Sequence, residues 1–266
     1  MTDLREYINA YSNTAKNNDE IHQGFTQKTN EISFLKKHRD HIENNKLGFG
    51  DRAFHFMWYL LFKEVGREKG KVDVLEIGVY KGQVISLIAL LSKELQIPAA
   101  ISAISPLEGT VSANSLFNNR IVNKIRRTFS AAYRKQEKEG NVYRKENYEV
   151  IIEKLFSSFG LNFSSINLYK GYSNDTLILD SLKNKDFDLI YIDGDHSYEG
   201  VKKDILNFTP NLRKGGFLVM DDASWFLPGN VFWKGHEEVS KACSIIEGLG
   251  FKNVLNVGHN RIYQKL

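Results

Sequence analysis

Four side chains in two short segments carry the clearest chemistry: Asp193 with His196 three positions on, in Asp193-Gly-Asp-His-Ser-Tyr-Glu-Gly200, and the pair Asp221 and Asp222, in Gly215-Gly-Phe-Leu-Val-Met-Asp-Asp222. Each segment follows a short apolar run that reads as a buried strand, over 187–192 and 216–220. Carboxylates at the ends of neighbouring parallel strands converge, and in an apolar setting they repel one another unless a cation sits between them. An oxygen-only donor set points to Mg²⁺, Mn²⁺ or Ca²⁺ rather than zinc. His196 lies close enough to such a cation to take a proton from a hydroxyl bound there. The same acids could instead cap the helices that follow, a role to which Asp195 or Ser197 is well suited. Asp221 and Asp222 are harder to read as caps, because a buried strand rarely ends in two acids without a task.

A third segment, Glu76-Ile-Gly-Val-Tyr-Lys-Gly82, ends the apolar run 72–77. A glycine directly after a strand lets the backbone pass close beneath a bound nucleoside, and the start of the next helix offers free N–H groups. The loop departs from the dinucleotide pattern G-x-G-x-x-G, since Glu76 stands at its first position and Lys81 at its last. An acid at this strand end suits an amino-acid moiety or an ordered water better than a pyrophosphate. A nicotinamide-dependent oxidoreductase therefore ranks last among the readings.

The elements that must position these residues alternate. Strand patterns at 72–77, 99–104, 166–169, 187–192 and 216–220 are separated or followed by helical ones at 83–95, 147–159, 174–182, 198–208 and 236–249. This alternation predicts an α/β fold, a Rossmann-like doubly wound, mainly parallel sheet of seven strands with helices on both faces. Segments 254–258 and 261–264 read as a closing strand pair. Residues 1–65 read as an N-terminal helical extension, with helical patterns at 32–42 and 52–65 and a turn at Gly48-Phe49-Gly50, serving as an acceptor lid or an oligomer contact. The core domain is expected over 66–266. Within it the connection 107–146 carries Arg120, Lys124, Arg126, Arg127 and Arg134, with Leu116, Ile121, Ile125 and Phe129 at helical spacing. It reads as an inserted amphipathic helix whose basic side faces solvent or an anionic partner.

Composition narrows the class. At 266 residues, 42% hydrophobic and 26% charged, the chain is long enough for one large globular domain with an appendage. The longest apolar stretches, 54–62 and 84–91, fall short of the roughly 20 residues that span a bilayer. The polar first twenty residues suggest no secretory signal, and a cytoplasmic location is expected. Cys243 is the single cysteine, which precludes an internal disulfide, fits a reducing compartment and reads as a small buried apolar residue. The net charge of +4 is too small by itself to imply nucleic-acid binding, and the expected partner is a small molecule, with a homo-oligomer open.

Taken together, the three motifs resemble those of class I S-adenosylmethionine-dependent methyltransferases, and within them the branch of macrolide sugar O-methyltransferases and cephalosporin-hydroxylase-like proteins. The resemblance spans about residues 70–266, and Asp193-Gly-Asp-His-Ser-Tyr-Glu-Gly200 is its most specific part. It implies S-adenosyl-L-methionine as cofactor and Mg²⁺ or Mn²⁺ held by Asp193, Asp221 and Asp222, with His196 as general base. It places Glu76, Gly78, Tyr80, Gly82, Ser105, Tyr172, Ser173 and Asp193 around the cofactor, Tyr172 against the adenine. The branch usually ends its second strand with an acid that holds the ribose hydroxyls. Here Ser105 stands in that position, with Glu108 near enough in sequence to reach back. The acceptor side is expected from residues outside the core, namely His55 with Arg52 and Trp58, and Trp225, Trp233 and His236. Aromatic faces and cationic groups there suit a sugar or nucleotide sugar. The implied activity is Mg-assisted O-methylation of a small polar acceptor. The alternatives are metal-independent N- or O-methylation and an RNA-binding methyltransferase.

Overall fold

The computed structural model describes residues 3–108, 128 and 146–266. The expected basic helix of the insertion 107–146 lies outside the described residues, apart from its two ends and Thr128. Seven strands form one sheet in the order β3-β2-β1-β4-β5-β7-β6. The parallel strands are β1 (Val72–Ile77), β2 (Ala99–Ser105), β3 (Asn167–Lys170), β4 (Phe187–Ile192) and β5 (Leu212–Met220). The closing pair, β6 (Phe251–Val257) and β7 (Asn260–Lys265), is antiparallel, and β7 runs antiparallel to β5. The expected doubly wound, mainly parallel sheet is thus the architecture observed.

Side chains alternate across each strand, so two apolar clusters form on opposite faces. Val72, Val74, Leu189, Tyr191, Phe217 and Val219 face one cluster, with α5 (Gln83–Leu95) and α6 (Tyr148–Ser158). Leu75, Ile77, Ile190, Ile192, Leu218 and Met220 face the other, with α7 (Thr176–Leu182), α8 (Tyr198–Phe208) and α9 (Glu237–Ala242). The N-terminal extension joins the first cluster. It comprises α1 (Leu4–Ala10), α2 (Ala15–Glu31), α3 (Ser33–Asn45) and α4 (Ala53–Lys69). In α4, Phe54, Phe56, Met57, Trp58, Leu60, Leu61 and Phe62 are all buried, because α2 covers the side turned away from the sheet. A stretch of helix apolar on nearly every side needs neighbours all round, and the extension supplies them.

Two boundaries differ from the sequence pattern. β5 begins at Leu212 rather than 216, since Arg213 to Gly215 bulge outward between the pairings Phe187 with Leu212 and Leu189 with Phe217. The segment 236–249 is not one helix: α9 ends at Ala242 and the chain tightens into 3₁₀ turns at Cys243–Ile245 and Glu247–Leu249. Their period of three places buried Cys243 and Ile246 on one side, towards the sheet.

Candidate active site

The strand ends are staggered so that three loops meet. Backbone bonds from Gly78 N to Ile104 O (3.0 Å), Asp193 N to Ile77 O (2.8 Å) and Asp221 N to Ile192 O (3.1 Å) carry the sheet one residue past each strand and aim the loop side chains outward. Gly78 is forced by this geometry. Its φ is +93°, and a Cβ there would lie 1.8 Å from the carbonyl oxygen of Asp193. Gly82, with φ +87°, opens α5 against Ile152. Between them Tyr80, also at positive φ, stacks on Phe49 with ring centroids 5.2 Å apart.

Glu76 is buried, accepts the Ile85 amide, and leaves Oε2 without a hydrogen-bond partner among the described residues. Burial, then Asp193 and Asp221, push its carboxyl well above the usual range. A cationic donor such as the ammonium of an amino acid would satisfy that oxygen. Ser105 ends β2, and its Oγ accepts the Leu107 amide at 3.3 Å. Beyond it opens a cavity of about 460 Å³ bordered by Glu108, Tyr148, Lys170, Tyr172 and Asp175. Glu108 thus lines the space next to Ser105, and Tyr172 is exposed at the same rim. Ser173 turns away and donates to Asp204 at 2.5 Å. Burial raises the Asp204 carboxyl to about 7.

The acids converge as the strand order requires. Asp193 hydrogen-bonds Asp221, and burial, followed by Asp221 and Asp222, raises the Asp193 carboxyl well above its ordinary range. Burial and then Asp221 push Asp222 to about 7. His196 Nε2 lies 3.5 Å from Asp222 Oδ2 and 3.8 Å from Asp193 Oδ1. Asp195, by contrast, braces the turn before α8, accepting from the Ser197 amide at 2.8 Å, while Ser197 is the N-cap of α8 and accepts the Gly200 amide. Among the described residues two groups bring three donor atoms to within 4.8 Å of one another, Asp221 with Asp222 and His259, and His196 with Asp222 and His236; Asp193 adjoins them through Asp221 but belongs to neither, so a divalent cation fits the acid pair better than the full set of three acids.

Of the residues expected on the acceptor side, three lie on the loop between Asp222 and α9. That loop is closed at its base by the His236 N to Asp222 O bond of 2.8 Å. Gly235 has no room for a Cβ there, which would fall 2.2 Å from the Asp222 carbonyl. The His236 ring stacks on His196 at 4.6 Å, its Nε2 is 3.6 Å from Asp222 Oδ2, and Trp233 meets it edge-on at 5.4 Å. Burial and then His196 lower His236 to about 4. Trp225 is exposed on the same loop, its amide bonded to Ser240 Oγ. His55 is a correction. It is fully buried inside α4 and hydrogen-bonded to His38 at 2.9 Å, so it presents no surface to an acceptor. Trp58 is buried likewise, and Arg52 is committed to Asn30, Asp40 and Glu43.

The sequence reading missed His259, Asp51 and His22. His259 occupies the turn between β6 and β7, with Nε2 3.2 Å from Asp221 Oδ1 and Nδ1 4.0 Å from Asp51 Oδ2. Asp51 in turn meets His22 Nε2 at 2.8 Å. Burial opposes a charged His259, but Asp221, Asp222 and Asp51 outweigh it and raise the imidazole to about 9. The closing strand pair is legible in the sequence, but the antiparallel pairing of β7 with β5, which puts the turn that opens β7 where β5 ends, is not. Asp51 and His22 have no local signal either.

With this geometry in place, the comparisons agree. Residues 75–223 match the family model described as "Methyltransferase domain". The chain belongs to that family, with the fold of class I S-adenosylmethionine-dependent methyltransferases. Among solved structures, the O-methyltransferase NovP is 14% identical, with 79% of this chain and 78% of that one covered, at a TM-score of 0.56. An O-methyltransferase from Bacillus cereus in complex with SAH is 12% identical, with 95% and 100% covered, at a TM-score of 0.52. At such identities the likeness is one of fold. An uncharacterised protein, R132, of Acanthamoeba polyphaga mimivirus is 39% identical over 67 residues, which are 24% of this chain. The match spans only 30% of that relative's length. Among the described residues, no helix is long and apolar enough to cross a membrane.

Proposed function

We propose that this protein methylates a hydroxyl of a small polar acceptor, of sugar or nucleotide-sugar type, with help from a divalent cation. The observation that carries the reading is the meeting of Asp193, Asp221, Asp222 and His196 beside the Glu76 to Gly82 loop. S-adenosylmethionine supplies an electrophilic methyl on a sulfonium: the C–S bond breaks as the C–O bond forms, and sulfur keeps the electron pair. Mg²⁺ or Mn²⁺ on these acids would lower the pKa of the acceptor hydroxyl and fix its direction. The protein's own groups do the rest. Glu76 Oε2 receives the amino group of the methionine moiety, Gly78 lets the backbone pass beneath it, and Glu108 stands where the ribose hydroxyls need an acceptor. Tyr172 borders the adenine. His196 takes the hydroxyl proton at Nε2 while His236 stacks behind it and holds its plane. Trp233 offers an aromatic wall to a sugar ring, and Trp225 lies farther out on the same loop. In this reading residues 1–65 form a wall of the acceptor side through Asp51 and His22, and 66–266 form the catalytic domain.

The test is calorimetric titration of S-adenosylhomocysteine with and without Mg²⁺ or Mn²⁺, followed by methyl transfer from labelled cofactor to a panel of sugars and nucleotide sugars. His196→Ala should keep its affinity for S-adenosylhomocysteine and lose about 10²- to 10⁴-fold in turnover. Full turnover in that variant would remove His196 from the mechanism. Transfer that is indifferent to cations and unchanged in Asp221→Ala/Asp222→Ala would end the metal-assisted reading.

A further inference from the structure

Two features of the acid cluster go beyond an oxygen-only cation site. First, an imidazole enters it from the closing hairpin: Asp221, Asp222 and His259 each bring one donor atom to within 4.8 Å of the others. Two ligands about 2.1 Å from a shared ion lie roughly 3 Å apart when they meet at a right angle. His259 Nε2 and Asp221 Oδ1 are 3.2 Å apart. Second, the other nitrogen of that ring lies near a carboxylate. Nδ1 is 4.0 Å from Asp51 Oδ2, an ion-pair distance beyond that of a hydrogen bond, and His22 fixes Asp51 from α2 at 2.8 Å. A histidine that binds a metal through one nitrogen commonly directs its other N–H to a carboxylate, which orients the ring and raises its basicity. Gly50 packs against the same imidazole, a Cβ there meeting His259 Cε1 at 3.2 Å.

We propose that the cation displaces the Nε2 proton of His259 to solvent and takes that nitrogen as a ligand together with Asp221 and Asp222, that Asp51 and His22 position the ring, and that this nitrogen makes the site prefer Mn²⁺ or Co²⁺ to Mg²⁺. The inference rests on the cation-assisted reading above and keeps His196 as the acceptor of the proton. A nitrogen donor favours these ions because imidazole binds first-row transition metals well, whereas Mg²⁺ favours oxygen and keeps its water. It also gives the N-terminal extension a part in the chemistry, since Asp51 and His22 belong to it.

The experiment is calorimetry of Mg²⁺, Mn²⁺ and Co²⁺ binding to the full chain with S-adenosylhomocysteine present, paired with pulsed electron paramagnetic resonance of the Mn²⁺ form. Mn²⁺ should bind at least about tenfold more tightly than Mg²⁺ and show coupling to ¹⁴N. His259→Ala should lose the coupling and the preference. Asp51→Asn, which leaves the ligand in place, should weaken Mn²⁺ about tenfold or more. Melting temperature and S-adenosylhomocysteine affinity check the fold of each variant, and the wild-type ¹⁴N signal stands even if His259→Ala does not fold. Absent ¹⁴N coupling, with both ions bound equally, overturns the proposal and leaves cation assistance standing. Coupling that survives in a folded His259→Ala overturns it in favour of His196, Asp222 and His236, the other group whose donors converge. Wild-type protein that binds cofactor but no ion overturns the assisted reading itself, and this proposal with it.

Discussion

Gly78 shows how little latitude the site allows at single positions. Its positive φ and the Asp193 carbonyl 1.8 Å from any added Cβ mean that even alanine must push the β4 loop outward. The push would move Asp193, so one methyl group disturbs the cofactor loop and the acid cluster together. Gly78→Ala should cost about 3 kcal/mol or more in stability, combining backbone strain with a clash against backbone that has no side chain to rotate away. Chemical denaturation checks the size, and S-adenosylhomocysteine titration should show binding lost in whatever protein remains folded. Gly24, half-buried on α2, is the contrast: nothing lies within 4 Å of a Cβ there. Gly24→Ala should leave binding unchanged.

At the scale of elements, a chain of hydrogen bonds ties the extension to the glycine loop. Ser86 donates its hydroxyl to Gly82 O at 2.7 Å, so it accepts from His38 Nε2 at 3.0 Å. With both rings held neutral by burial, His38 Nδ1 accepts from His55 Nε2 at 2.9 Å and each ring carries its proton on Nε2. Burial, with His41 and Arg39 adding to it, lowers His38 to about 3. Burial and then His38 hold His55 well below its ordinary value. In the unfolded chain both imidazoles titrate near about 6.5, so below that pH the unfolded state binds protons that the folded state refuses. Their contribution is complete above pH 6.5 and is lost as pH falls towards 3, at up to about 1.4 kcal/mol per pH unit for each ring. Denaturant midpoints at pH 7, 6 and 5 should fall more steeply for the wild type than for His38→Gln/His55→Gln. Equal slopes would mean that the rings are not held neutral.

Across the whole molecule, the extension completes the core rather than adorning it. Phe25 and Leu35 are fully buried in the same cluster as Trp58, Leu87 and Val219. Removing residues 1–50 would bare one side of α4, whose N-terminal half is apolar on nearly every side. The shortened chain should bind the dye ANS and aggregate, while the full chain does neither. Recovery of a soluble, cofactor-binding fragment 51–266 would show that the core stands without its cover.

Much of this was legible in the sequence because it depends on short-range patterns. Apolar runs of strand length located β1 and β4 to the residue, 3.6-residue periodicity located α5 and α8, and the strand-end acids followed from chain position alone. Resemblance of the three motifs supplied the class. The tertiary structure decided what depends on distant segments. His55 sits on a helix whose pattern allowed either exposure or burial, and only α2 and α3 packing over it settled the matter. His259, Asp51 and His22 are separated by as many as 237 positions, and no local rule joins them. They meet because β7 pairs antiparallel to β5, which returns the last turn of the chain to the end of the strand that carries Asp221.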